Sequence, residues 1–136
     1  MSDVVIFDTS VLIDNLRSGR HGQRMASATG LIRTSSVVLA ELWRGATTRS
    51  ERRIVEALER THPVLTPTHN NWIESGRLLG KIRAAHGLSA HQLRDLHFDV
   101  LIALTARSHG ARLITSNRRG FELIHRYRKF ELEVWS

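Results

Sequence analysis

The chain has 136 residues, 41% of them hydrophobic, no cysteine and a formal charge of +7. Its length suits one core-bearing domain over residues 1–136, and the missing cysteine excludes disulfides, thiolate zinc sites and thiol nucleophiles. Of the 20 basic residues 18 are arginine, whose planar fork suits phosphate, so the charge points to a polyanionic partner, although a biased composition on a solvated surface gives the same count. No apolar run nears the roughly 18 residues of a membrane span, and Asp3 stands where a basic, then apolar, leader would begin, so a cytoplasmic protein with no membrane contact is expected.

In chain order, Val4–Phe7 is too short and too continuously apolar for anything but a strand buried on both faces, and Asp8 ends it. Thr9 or Ser10 then caps a helix whose apolar positions start at Val11. Leu31–Thr34 reads as a second strand, followed by a helix over 36–45 opened by Ser35 or Ser36 and closed by Gly45. A helix over 50–61 sets Ile54, Val55, Ala57 and Leu58 against charged neighbours, and a short strand follows at Val64–Leu65. Trp72, Leu79, Ile82 and Ala85 predict a helix over 70–85, with a break at 86–91. Phe98, Leu101, Ile102 and Thr105 predict another over 96–109, ended by Gly110, and strands at Arg112–Thr115 and Leu132–Trp135 complete the pattern. This alternation predicts an α/β fold, a mostly parallel central sheet flanked by helices on both faces.

Three acids occupy places that bear on chemistry. Asp8, at the carboxyl end of the first strand, is either a turn and cap residue or the first member of a site, since ligands of open α/β sheets bind at that edge. Glu41 lies in VVLAELWRG, otherwise apolar from 37 to 43, where it must reach solvent by its stem or be held by a partner. Asp99, in HFDVLIALTAR, reads either as an acid favoured by the dipole of an opening helical turn or as a third site member. Three carboxylates on one edge of a parallel sheet would repel one another unless a divalent cation neutralised them, the arrangement that binds Mg²⁺ or Mn²⁺ for phosphoryl chemistry.

Other polar residues carry less. Asp14 reads as the exposed side of the first helix, and the eight histidines form neither a His-x₃-His pair nor an HExxH motif. Trp43, Trp72 and Trp135 read as core or subunit contacts rather than stacking platforms. Arg52 and Arg53 share a helix with Glu51, Glu56 and Glu59 and read as a charged face, whereas Arg118 and Arg119 adjoin the proposed site. A phosphatase using Asp8 as nucleophile would want a second Asp two residues on, where Ser10 stands.

FDTSVLID, VVLAELWRG and FDVLIALTARSHGARLITSN, in this order and at this spacing, make the sequence resemble PIN-domain ribonucleases, in particular the toxins of VapBC-type toxin–antitoxin pairs, over essentially the full chain. The resemblance implies a PIN-like α/β/α sandwich and a Mg²⁺- or Mn²⁺-dependent endoribonuclease. Asp8, Glu41 and Asp99 match the family's three acids: Asp8 and Asp99 as direct metal ligands, Glu41 as a ligand through water or the group that orients the attacking hydroxide. Thr115 and Asn117 match its polar pair after the late strand, with Asn117 among the catalytic residues. Thr9, Ser10, Arg44, Thr115, Arg118 and Arg119 are the candidates to meet RNA. The implied partners are a small antitoxin, whose tail enters the acidic cleft, and a second copy of the chain; Leu39, Leu42 and Trp43 are apolar candidates for those contacts.

One motif departs from the family. The resemblance calls for Thr-x-Asn-x-x-Asp-Phe, whereas TSNRRGF places Gly120 where the fourth acid belongs. Asn117 can offer a neutral carbonyl oxygen there, and Asp95 is another substitute if its helix extends back far enough to put Asp95 and Asp99 on one face. The missing acid supports a second reading, a non-catalytic RNA-binding or assembly module on the same fold with an incomplete acidic site.

Overall fold

Short β-branched runs and well-capped helices set the element boundaries. A computed structural model of the protein describes residues 3–28 and 30–136. In order they form β1 (Val4–Phe7), α1 (Thr9–Ser18), α2 (Gly22–Ser27), β2 (Leu31–Ser35), α3 (Ser36–Gly45), α4 (Arg49–Thr61), β3 (Val64–Leu65), α5 (His69–His86), α6 (Ala90–Ser108), β4 (Arg112–Thr115), α7 (Arg118–Tyr127) and β5 (Glu131–Val134). The five strands make one sheet in the order β3-β2-β1-β4-β5, and every neighbouring pair is parallel. With helices on both faces this is the expected α/β/α sandwich.

The order of strands reverses at β1: β2 and β3 lie to one side, β4 and β5 to the other. A crevice opens at such a switch point, outside the carboxyl ends of the two central strands. Asp8 follows β1 and Thr115 ends β4, so the topology alone brings two distant polar residues to that crevice. The Asp8 backbone N–H, bonded to the Ile114 carbonyl at 2.8 Å, continues the ladder to its lip.

Val5 and Ile6 of β1, and Leu113 and Ile114 of β4, are fully buried, as the two-sided burial of central parallel strands demands. α6 is buried continuously from Val100 to Ala106. It packs against β4 and also against α3, α5 and α7, which is why its sequence is apolar around most of its circumference. Trp135 joins this core against Phe7, ring centroids 5.6 Å apart. Trp72, by contrast, is 53% exposed on α5.

Three boundaries differ from those the sequence predicts, each for a local reason. α6 begins six residues earlier, because Ser89 and Gln92 form a capping box in which each side chain accepts from the other's backbone N–H. Asp99 therefore lies in mid-helix, and a first-turn dipole does not explain it. The cap of α1 is Asp8 itself, whose side chain accepts from the Ser10 backbone N–H, rather than Thr9 or Ser10. The one-and-a-half-turn α2 buries no residue and shows no apolar period, so nothing in its sequence announced it. Among the described residues no helix is long and apolar enough to cross a membrane.

Candidate active site

Asp8 is 3% exposed at the floor of the crevice. Its Oδ2 accepts from the Ser10 hydroxyl at 2.7 Å and the Thr115 hydroxyl at 2.9 Å. Those donors are fixed in turn: the Ser116 N–H donates to Ser10 Oγ at 3.0 Å, and the Asn117 N–H donates to Thr115 Oγ1 at 2.9 Å. The loop between β4 and α7 is thereby stitched to the start of α1 around one carboxylate. Burial raises the Asp8 pKa, and the hydrogen bonds from Ser10 and Thr115 oppose that rise.

Glu41 reaches the same region from α3. Its helix is fixed by Ser35, which accepts from the backbone N–H groups of Val37 and Val38, and its carboxylate accepts from the Thr9 hydroxyl at 2.9 Å. Arg44, one turn on, approaches Glu41 to 4.0 Å and lays its guanidinium 5.3 Å from the centre of the Phe98 ring. Burial raises the Glu41 pKa and the Asp8 charge adds to the rise, against the Thr9 hydrogen bond and Arg44.

Asp99 comes in from the middle of α6. Burial, followed by the charges of Asp8, Glu41 and Asp95, pushes its pKa up to about 8. Asp99 thus feels the charges of Asp8 and Glu41 from a largely buried position. Asp99 Oδ2 accepts from the Asn117 side-chain amide at 3.3 Å, while the Asn117 carbonyl oxygen caps α7 by accepting from the Gly120 N–H. A Cβ on Gly120 would stand 3.3 Å from Asp99 Oδ2 and 2.8 Å from Asn117 Nδ2. Gly120 thus faces the site from the first turn of α7, in a helical conformation with no positive φ, and the Asn117 amide occupies the space its missing side chain leaves.

The remaining candidates divide by what their polar atoms already touch. Thr9, Ser10 and Thr115 spend their hydroxyls on carboxylates. Arg118 is exposed and pairs with Glu122 at 2.9 Å. Arg44 and Arg119 are exposed. Asp95 does share a helical face with Asp99, yet it is exposed and lies 3.5 Å from His91. Leu39 and Leu42 belong to the core, and of the three expected contact residues Trp43 alone reaches the surface. Asp14 pairs with Arg20 at 3.0 Å.

Two residues were not foreseen. Ser116 carries the N–H that fixes Ser10, and its hydroxyl lies 3.3 Å from Nε2 of the fully buried His21, behind the site. His21 sits in the turn between α1 and α2, outside any apolar period, so only the tertiary structure reveals it.

Among the described residues no group of three His, Cys, Asp or Glu side chains is drawn closely enough together to hold a metal ion as it stands. The donor set nevertheless fits a hard cation. It consists of carboxylates without imidazole or thiolate, each driven toward protonation by burial, and Arg44 offsets the charge of Glu41.

Fold and site together define a doubly wound α/β domain with an acid-lined crevice at its switch point. The PIN domain family matches residues 5–127, and the chain belongs to that family. Its structure is similar to a chain of DNA-bound VapBC from Salmonella typhimurium, 25% identical with a TM-score of 0.72 and 100% of both chains covered. It is also similar to a chain of a toxin–antitoxin complex from Klebsiella pneumoniae, 27% identical with a TM-score of 0.63, over 86% of this chain and 89% of that one. A chain of VapBC2 from Rickettsia felis, bound to a fragment of promoter DNA, shares the fold at 19% identity and a TM-score of 0.70, over 98% and 99% of the two chains. No curated protein matches the chain. The resemblance to VapC-type PIN domains drawn from the sequence therefore holds.

Proposed function

We propose that this chain is a divalent-cation-dependent endoribonuclease, the toxin member of a toxin–antitoxin pair. The observation that carries the reading is the placement of three acids around the switch point of a PIN fold: Asp8 after β1, held by Thr115 at the end of β4, Glu41 on α3, held by the neighbouring Thr9, and Asp99 on α6, held by Asn117. Asp8, Asp99 and Glu41 would hold Mg²⁺ or Mn²⁺, which when bound supplies Lewis acidity toward a phosphate oxygen and a lowered pKa for water in the site.

The chain's own residues prepare this chemistry. Ser10 and Thr115 hold the Asp8 carboxylate in one orientation and favour its ionised form. Thr9 fixes Glu41, which would orient the attacking water and take its proton. Asn117 orients Asp99. Arg44 stands at the rim beside Glu41, where its forked donors suit a phosphate of the substrate backbone.

The solved relatives named above are toxin–antitoxin complexes, which supports a small antitoxin as partner, and a dimer of this chain is part of the same reading. Gly120 and the Asn117 amide beside it favour a second reading, a non-catalytic RNA-binding or assembly module. Purified protein incubated with total RNA plus Mg²⁺, Mn²⁺ or EDTA separates the two. Discrete metal-dependent cuts select the enzyme, and binding without cuts selects the module.

A further inference from the structure

A second polar hollow lies beside the acids, between the start of α6, the turn before it and α7. Its volume is about 620 Å³, within the roughly 300–1,000 Å³ range of ligand sites. His86, Leu88 and Gln92 line one wall, and Arg119, Leu123 and Arg126 line the other. No acid lines it. From this cleft we infer that the protein holds a single-stranded RNA segment flanking the scissile bond, with phosphates on Arg119 and Arg126 and a base over Leu88 and Leu123. The inference rests on the ribonuclease reading above.

Three observations support it. Arg118 and Arg128, at the two ends of the same helical segment, pair with Glu122 at 2.9 Å and with Glu74 at 2.8 Å. Arg119 and Arg126, the two arginines that line the cleft, have no carboxylate partner among the described residues. Their charge is available to an outside anion.

Position is the second observation. Arg119 directly precedes Gly120, the residue whose Cβ would lie 3.3 Å from Asp99 Oδ2. Arg126 stands seven residues further along α7, about 10 Å away, which equals the rise of about three stacked nucleotides at roughly 3.4 Å each. The cleft thus leads away from the acidic centre along a line that a strand can follow.

The third is the character of the walls. Leu88 and Leu123 are half-buried apolar surface. The Gln92 carbonyl is committed to the Ser89 N–H at 2.9 Å, so its amide N–H₂ is the group left for a base edge. His86 and Tyr127, joined at 2.9 Å with rings edge to face, brace the far end.

The test is binding of a fluorescently labelled single-stranded RNA in EDTA, across a salt series, to the wild type, to Arg119→Ala/Arg126→Ala and to Arg52→Ala/Arg53→Ala. The last pair removes the same charge from α4, outside the cleft. We expect the cleft variant to bind about tenfold more weakly, with a log–log salt slope shallower by about 1.4, the value for two single-strand phosphate contacts. The α4 variant should stay near the wild type, and all three should melt alike. Equal losses in the two variants, with the wild type still cutting RNA, would overturn the cleft alone. A wild type that neither binds nor cuts RNA overturns the ribonuclease reading and the cleft with it. A labelled acidic peptide that binds as tightly, with the same dependence on Arg119 and Arg126, would assign the cleft to a protein partner and overturn the inference.

Discussion

Asn117 donates its side-chain amide to Asp99 Oδ2 at 3.3 Å, across the gap that Gly120 leaves open in the first turn of α7. A neutral group thus stands where the family pattern implies a fourth carboxylate. Gly120→Asp tests what that exchange costs the site. The backbone accepts a side chain there, since Gly120 has no positive φ, but the Asn117 amide at 2.8 Å must move aside. An added carboxylate beside Asp99 raises the negative charge offered to a hard cation. The Mg²⁺ concentration for half-maximal cleavage should fall several-fold, and Asn117→Ala should raise it. A normally folded Gly120→Asp with an unchanged titration, together with a silent Asn117→Ala, would mean that Asp8, Glu41 and Asp99 complete the site alone.

The same acids set a pH dependence of stability. Asp8, Glu41 and Asp99 all have folded-state pKa values raised above their ordinary ones, that of Asp99 to about 8 from 3.8. Groups of this kind contribute stability that is fully present below the unfolded pKa and is lost as pH rises through the folded one. For Asp99 the window runs from about 3.8 to about 8. The metal-free protein should therefore melt at a lower temperature at about pH 8 than at about pH 5. Asp99→Asn should flatten that decline and melt higher than the wild type at the alkaline end, while Mg²⁺ should restore the wild type and leave the variant unmoved. Melting curves in EDTA over this range decide it, and a wild type that grows more stable toward pH 8 counts against the coupled cluster.

Thr115→Val separates positioning from direct participation. The hydroxyl is fully buried, donates to Asp8 and accepts from the Asn117 N–H, so its loss leaves a buried carboxylate and a half-buried N–H each short of a partner. Stability should fall by about 1–3 kcal/mol, and cleavage should weaken most at low Mg²⁺, where a less ordered Asp8 binds worst. Thr115→Ser, which keeps the hydroxyl, should recover most of both. Equal metal titrations for Thr115→Val and the wild type would show that Thr115 does not act through Asp8.

Much of this architecture was legible in the chain itself. Val4–Phe7 announces a central strand because burial on both faces needs an unbroken apolar run, and in Arg112–Thr115 the adjacent Leu113 and Ile114 carry the same signal. Glu41 is conspicuous because an acid among apolar neighbours needs a reason. The mid-helix place of Asp99 was hidden because the capping box at Ser89 lies seven polar-rich residues before the apolar pattern starts at Leu96. The hydroxyls of Thr9, Ser10 and Thr115 were legible as site neighbours, but their binding of carboxylates depends on tertiary geometry that no spacing encodes. The cleft between α6 and α7 was equally invisible, because which arginines find acids is settled only when α7 packs.

Cleavage of a defined RNA by the wild type and by Asp99→Asn, each with Mg²⁺ and with EDTA, tests the central claim most directly. The substitution keeps the size of a side chain that already accepts from Asn117 and removes the charge that couples to Asp8 and Glu41. The account predicts Mg²⁺-dependent cuts by the wild type, none in EDTA, and a loss of at least about a hundredfold in the folded variant, about 2.7 kcal/mol of transition-state stabilisation. Full metal-dependent cleavage by Asp99→Asn would contradict it.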